Sequence, residues 1–541
     1  MTGRVPIACA ILALAPAALP PAVQPPADPA ARRPVAVVTE HAGTFNGAAV
    51  RYTATVAETF VPGPDGVPAG SMVTTAYVRE DVTDRASRPV LFAFNGGPGA
   101  SSTPLHLTAF GPRRYVTVNA EREMGDNPYS LLDAMDLVFI DPIGTGFSRP
   151  WREADGPYFW STSGDAASVR AFIQDWLKKN GREGSPRFLC GESYGTARAA
   201  QIVRLGNDLT FDGVLLLSMT GGPEDPDLRY AMLLPTYATA AAYHGKVDAA
   251  GRTPAQIFDD ALAFARGAYV SALIQGASLP PAEKTRVAAE VSKRIGLPAS
   301  FIEEKDLRID RLDFMLNLLK DRGVRIGQID ARVTGRLVDH ADRKPPYDDP
   351  SMFPAGPGRS RPTAHLYFTE ELKFPATDAY RPLNLEINAK WKFDVEDALE
   401  KPVAIIATAM KEQPRLRLFW AGGYYDLATP LASGKYVLDH AGVPPERLTI
   451  AALPTGHMPY EGDENLSRFN AAVRRFVAGR ATDDAASSGS DFVQRPRRRQ
   501  GRSTPGPARS GRSSNRSARR LPGQNVGTER RDPSPGSPST P

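Results

Sequence analysis

The sequence predicts an α/β fold, a mostly parallel sheet flanked by helices. Two observations carry that expectation. Between Pro89 and Gly222 short apolar runs recur, each ending in loop residues: "PVLFAF" before "NGGPG", "MDLVFI" before "DPIGTGFS", "RFLC" before "GESYG" and "GVLLLS" before "MTGG". Helical patterns separate some of them, as in "GDAASVRAFIQDWLKKNG", with apolar residues at helical spacing and a glycine stop. Strands buried on both faces read as unbroken apolar runs, and helices between them cover the two faces.

The elements follow in order. From Val35 to Val82, "AAVRYTATVAETFV" and "SMVTTAYVRE" alternate apolar and polar residues, which predicts antiparallel strands leading into the sheet. From about Pro223 to Trp391 the pattern changes. "PAQIFDDALAFARGAYVSALIQG" and "IDRLDFMLNLLKDRG" read as helices with no core strands between them. Strand patterns return at "RLRLFWAGGYYD" and "RLTIAALPTGHMPY", and the last helix is "NLSRFNAAVRRFVAG". The expected organisation is a discontinuous core, residues 35–222 and 392–480, interrupted by a mainly helical cap insertion at 223–391. At 541 residues the chain has room for both. Residues 481–541 hold Arg, Ser, Pro and Gly with almost no apolar side chains, the composition of a disordered basic tail.

Charge and cysteine content narrow the function. The tail holds 12 Arg against 5 Asp and Glu, a local +7, so the chain's net +5 leaves the body at −2. A nearly neutral body does not carry the footprint of a nucleic-acid-binding domain. Residues 1–30 read as a secretory signal peptide and linker: Arg4, then the 15-residue apolar run "VPIACAILALAPAAL", then small residues and prolines. That run is short of the ~18 residues of a membrane span, so an exported protein, periplasmic or secreted and without stable membrane insertion after signal removal, is expected. Cys9 and Cys190 are the two cysteines. Loss of the signal leaves Cys190 alone, with no intrachain disulfide to form, and its place before a strand end suits a buried small apolar residue.

Chemistry concentrates at glycine-bounded turns. Gly191-Glu192-Ser193-Tyr194-Gly195 fits G-x-S-x-G, a sharp strand-to-helix turn that presents a serine nucleophile. A serine nucleophile needs a base, and the base an orienting carboxylate, in the chain order Ser, acid, His in α/β-hydrolases. Asp426 follows the strand "RLRLFWAGG" and His457 follows "RLTIAAL". His440 and Asp439 are the rivals, but both end the helix-like run "SGKYVLDHAG". "NGGPGASS", Asn95 to Ser102, also follows an apolar strand, where backbone N–H groups suit an oxyanion hole. Its donors would be the amides of Gly97 and Tyr194. A plain glycine-rich turn explains either motif alone, and the pair with a downstream acid and histidine favours catalysis. No H-E-x-x-H motif occurs, which disfavours a metallopeptidase, and neither metal nor cofactor is expected.

"NGGPGASS", "DPIGTGFS", "GESYG", the aspartate of "GGYYD" and "GHMPY" resemble the serine carboxypeptidase family in order and spacing, over roughly Phe92 to Phe476. "HLTAFGPRR" and "NPYSLLDAMDLVFIDPIGTGFS" are similar to its bacterial branch. The resemblance implies an α/β-hydrolase fold with a helical cap, and release of C-terminal residues from peptides with a free C-terminus. It makes Ser193 the nucleophile, His457 the base and acid, Asp426 its orienter, and Gly97 and Tyr194 the oxyanion hole. It implies that Asn95 and Glu192 hold the substrate's terminal carboxylate, with Glu192 protonated so that it donates rather than repels. Three positions depart from the family's pattern. Ala93 stands for its usual Trp, Ala100 for its usual Cys, and Ala109 for the Glu that often pairs with the carboxylate-binding Glu. An esterase or acyltransferase on the same acyl-enzyme, and a non-catalytic binding protein on the same scaffold, are the alternatives.

Overall fold

The computed structural model describes residues 33–479 except 120, 338–348, 353–361, 397, 398 and 400. The expected signal segment 1–30 and basic tail 481–541 lie outside the described residues.

The described strands are β1 (Ala36–Phe45), β2 (Ala48–Pro62), β3 (Pro68–Arg79), β4 (Val90–Phe94), β5 (Arg113–Val118), β6 (Glu121–Asp126), β7 (Asp136–Ile140), β8 (Arg149–Pro150), β9 (Arg187–Glu192), β10 (Gly213–Leu217), β11 (Val324–Ile326), β12 (Thr334–Arg336), β13 (Arg417–Gly423) and β14 (Leu448–Leu453). The main sheet runs β1-β2-β3-β7-β4-β9-β10-β13-β14, with β8 pairing β3. From β7 to β14 every pairing is parallel. β1, β2 and β3 pair antiparallel with one another, and β3 antiparallel with β7. This is the mostly parallel, helix-flanked sheet of the α/β-hydrolase fold.

Side-chain alternation explains the two kinds of strand. Val50, Tyr52, Ala54 and Val56 of β2 are buried while Arg51 is exposed, so this strand covers the core on one face. The five residues of β10 are all buried, with Val214 and Leu216 in the core on one side of the sheet and Leu215 and Leu217 in the core on the other. The first core takes Val169 and Phe172 from helix Thr162–Lys179 and Ala199 and Ile202 from helix Tyr194–Arg204. The second takes Phe469 and Phe476 from helix Asp463–Val477, and it encloses Cys190.

Helix starts follow capping chemistry. Helix Thr162–Lys179 begins two residues before the apolar pattern does, because the Ser161 hydroxyl accepts from the Gly164 amide at 3.1 Å. The segment read as one helix from Pro254 is helix Pro254–Phe264, a π turn at Ala265–Tyr269 and helix Val270–Gln275. Between β10 and β13 the described chain is chiefly helical, including Pro226–Tyr243, Pro281–Ile295 and Pro402–Glu412. β11 and β12 lie there as a separate antiparallel pair. No helix among the described residues is long and apolar enough to cross a membrane.

Candidate active site

Parallel pairing puts the carboxyl ends of β4, β9, β10, β13 and β14 along one edge of the sheet, the edge where open α/β sheets bind ligands. Asn95 follows β4, Ser193 follows β9, Ser218 follows β10, Asp426 lies three residues beyond β13, and His457 lies four beyond β14. Every residue singled out from the motifs therefore ends a strand of this edge or opens the turn after it.

Ser193 sits between β9 and helix Tyr194–Arg204 with φ 59 and ψ −129. A positive φ is strained for a residue with a Cβ, and such strain is found where structure over-determines a functional position. The turn closes only because its flanks are glycine: a Cβ at Gly191 would stand 2.0 Å from the Gly195 carbonyl oxygen. The Ser193 amide donates to Leu217 O at 2.9 Å, tying the turn to β10.

The "NGGPG" loop lies directly on this turn. A Cβ at Gly96 would stand 2.4 Å from the Tyr194 nitrogen and 2.5 Å from the Gly195 nitrogen. Gly97 has φ 95. The two backbones proposed to form the oxyanion hole are thus in contact through Gly96, a residue with no room for a side chain. Gly96→Ala is expected to displace the loop and lower kcat by ~10²–10³, the cost of losing one oxyanion donor. Steady-state kinetics on protein with an unchanged melting temperature checks this.

His457 and Asp426 meet, Nδ1 to Oδ2, at 2.8 Å, and both are buried. Asp426 is fixed further. Its Oδ1 accepts from the Ala428 and Thr429 amides at 2.8 and 3.1 Å, and its Oδ2 accepts from the Thr429 hydroxyl at 2.6 Å. Burial opposes ionisation of Asp426, yet facing His457 and the Thr429 donors outweigh it and hold the carboxyl below its ordinary value. Burial likewise opposes a charged ring on His457, but Asp426, with help from Glu192, raises it above its ordinary value. With Nδ1 turned to Asp426, Nε2 is the nitrogen left for a substrate-side proton. Ser218 Oγ donates to the His457 carbonyl, so the loop after β10 steadies the loop that carries His457. The rivals do other work: His440 Nδ1 donates to Tyr436 O of its own helix at 2.7 Å, and Asp439 pairs with Lys435.

Glu192 points into the space shared by Asn95 and Tyr460. Asn95 Nδ2 donates to its Oε1 at 2.6 Å, and the Tyr460 hydroxyl donates to its Oε2 at 2.7 Å. All three side chains are buried, at 3%, 3% and 0% exposure for Asn95, Glu192 and Tyr460. Burial raises the Glu192 carboxyl to about 7, against the pull of His457, Tyr460 and Asn95 toward ionisation. The Leu105 amide donates to Asn95 Oδ1 at 3.1 Å, which fixes the amide with its nitrogen toward Glu192.

The sequence reading missed two kinds of contributor. Arg198, one turn into the helix after Ser193, is 1% exposed. Its Nε donates to Asp165 at 2.6 Å, its Nη1 donates to Asn95 O at 2.6 Å, and its guanidinium lies 5.1 and 5.2 Å from the rings of Phe94 and Tyr194. The signal was an arginine inside the small-residue run "GTARAA". The second contributor is the long connection between β10 and β13. Near its middle, Gln328 O and Ile329 O accept from the Leu427 and His457 amides at 3.0 and 2.7 Å. Further on, Asn384 N donates to Gly99 O at 2.8 Å, and Asn388 Nδ2 donates to Pro98 O at 3.0 Å. One stretch thus braces the loops of Asp426 and His457 and the other braces the "NGGPG" loop.

The family described as serine carboxypeptidase matches residues 77–205, which include Asn95, Gly97, Glu192, Ser193 and Arg198 and exclude Asp426 and His457. Serine carboxypeptidase-like 21 of Arabidopsis thaliana is 28% identical over 172 residues, 27% of this chain and 34% of that protein. Serine carboxypeptidase-like 36 of the same plant is 30% identical over 151 residues, 26% of this chain and 30% of that protein. The match thus spans about a third of the length of these curated relatives. Among solved structures, the prohormone-processing carboxypeptidase KEX1 of Saccharomyces cerevisiae aligns over 81% of this chain and 91% of its own, at 16% identity and a TM-score of 0.48.

Proposed function

We propose that this chain is a serine carboxypeptidase that hydrolyses C-terminal residues from peptides through an acyl-enzyme on Ser193, a reading supported by the serine carboxypeptidase family match over residues 77–205. The observation that carries the reading is a buried carboxyl, Glu192, held by two donors immediately before the strained serine. An esterase has no need of a carboxyl there, whereas a carboxypeptidase must grip a carboxylate beside its nucleophile.

In the proposed cycle, His457 Nε2 takes the Ser193 proton as Oγ attacks the scissile carbonyl. The Gly97 and Tyr194 amides stabilise the oxyanion, and Asp426 holds the ring as it becomes positively charged. His457 passes the proton to the leaving amine of the terminal residue. A water, activated by the same base, then releases the shortened peptide from Ser193. Throughout acylation Asn95 and protonated Glu192 donate to the terminal carboxylate. The proposed setting is outside the cytoplasm, on the strength of Arg4 and the apolar run that follows it.

The pH dependence has a definite sign. His457 must be neutral to act as base, so activity falls as pH drops through its raised pKa. Glu192 must be protonated to grip a carboxylate, so activity on free acids falls as pH rises through about 7. Amidated peptides need no such donor and lack the second limb. The test uses blocked dipeptides spanning all C-terminal residues, each as free acid and as amide. Glu192→Gln is expected to abolish the high-pH limb on free acids, because an amide donates without a proton to lose. It should also move the low-pH limb downward, because an ionised Glu192 no longer raises His457. Equal profiles for acids and amides in the parent enzyme would favour an esterase or acyltransferase instead.

A further inference from the structure

In the family's pattern the carboxylate-binding Glu is often partnered by a second Glu, and this chain has Ala109 there. Ala109 is fully buried, and its carbonyl accepts from Asn127 and Asn470 at 3.2 and 2.9 Å. No carboxyl at that position can share a proton with Glu192. Tyr460 is the group that occupies the second oxygen of Glu192 instead. It arrives from the loop after β14, three residues past His457. Its ring packs 5.7 Å from Phe469 of the C-terminal helix.

We propose that Tyr460 is a positioning residue that decides when Glu192 loses its proton, and so sets the upper pH at which a free C-terminal carboxylate is accepted. The inference rests on the reading of Glu192 as the carboxylate grip. A second carboxyl and a phenol act in opposite senses. Two carboxyls repel when both ionise, so a pair keeps one proton and favours the protonated form. A phenol donates and carries no charge, so it favours ionised Glu192. Burial holds the Tyr460 hydroxyl far above its ordinary value, so it remains a donor throughout the working range.

The other groups facing Glu192 leave this role open to Tyr460. Asn95, from the loop after β4, is neutral and fixed by Leu105. His457, beside Tyr460 on the loop after β14, favours ionised Glu192 when charged, and Asp426 beyond β13 opposes it. Cys190 on β9 is driven upward by burial and stays a neutral thiol. Both oxygens of Glu192 accept from donors, which pull it toward ionisation against the burial that raises it. An incoming substrate carboxylate disfavours that charge, so binding a free acid draws a proton onto Glu192.

The test is Tyr460→Phe, which keeps the ring against Phe469 and removes one donor. On the best-cleaved acid and amide pair from the dipeptide set, the falling limb for the acid is expected to move up by roughly one pH unit, the worth of one hydrogen bond to a charged group. The rising limb, set by His457, should move down if it moves at all, because less ionised Glu192 then faces the ring. A merely structural role lowers rates at every pH and leaves the falling limb where it was, and that result overturns the proposal, as does a downward shift. A carbon-13 titration of the glutamate carboxyls in a Ser193→Ala background reads the same shift without turnover. The Glu192 signal is assigned by its loss in Glu192→Gln. A parent enzyme with no falling limb on acids defeats the Glu192 reading itself. A limb present in the parent, lost in Glu192→Gln and unmoved in Tyr460→Phe defeats the Tyr460 inference alone.

Discussion

Ser193→Ala is expected to lower kcat by ~10⁶ while leaving the fold intact, since loss of the nucleophile from a comparable triad costs that much. Alanine at this position keeps the φ of 59, so the strain of the turn is retained and the melting temperature should barely change. Ser193→Gly should be equally inactive but more stable, by ~1 kcal/mol, because glycine adopts positive φ without a Cβ clash. Kinetics with labelling by a fluorophosphonate, and urea denaturation of the three proteins, check both halves. Activity within tenfold of the parent in Ser193→Ala would remove the triad from consideration. Equal stability of the alanine and glycine variants would show that the turn stores no strain.

Arg198→Met is expected to destabilise the protein by ~3–5 kcal/mol, the cost of leaving one member of a buried ion pair without its partner. Arg198 and Asp165 are each about 1% exposed, so no water replaces the lost guanidinium. Burial already raises the Asp165 carboxyl, with Arg198 pulling against it, so the variant should hold Asp165 neutral. The double variant Arg198→Met with Asp165→Leu should recover much of the stability, because the orphaned carboxyl goes with its partner. It should not recover kcat, since Asn95 O still lacks its donor and the oxyanion loop loses a fixed anchor. Urea midpoints and kcat on the parent, the two single variants and the double variant separate the two effects. Full recovery of kcat in the double variant would limit Arg198 to stability.

The central strands were legible because burial on both faces writes an unbroken apolar run, as in "VLFAF" and "GVLLL". The hairpin of β5 and β6 was not, because "RRYVTV" and "EREMGD" are half-buried to exposed and rich in charge. Helix Pro226–Tyr243 escaped notice as well, carrying Pro235 in its interior and a buried face of small residues. Of the site, Ser193, Asp426 and His457 could be placed from loop positions after strands. The Asp426–His457 hydrogen bond then follows from parallel neighbours β13 and β14 ending at the same edge.

What the sequence determined by itself is everything governed by local rules. Apolar periodicity set the central strands and several helices, the need for glycine beside a sharp turn marked the serine, and strand-end position marked Asp426 and His457. What only the tertiary structure decided is who satisfies the buried polar groups. Glu192 and Tyr460 lie 268 residues apart in the chain, and Arg198 meets Asn95 across 103. A buried carboxyl or carbonyl must find a donor, but sequence spacing does not say which loop will bring one. Strand order does, by carrying the ends of β4, β9 and β14 to one edge, where Tyr460 from the loop after β14 stands against the carboxyl beside Ser193.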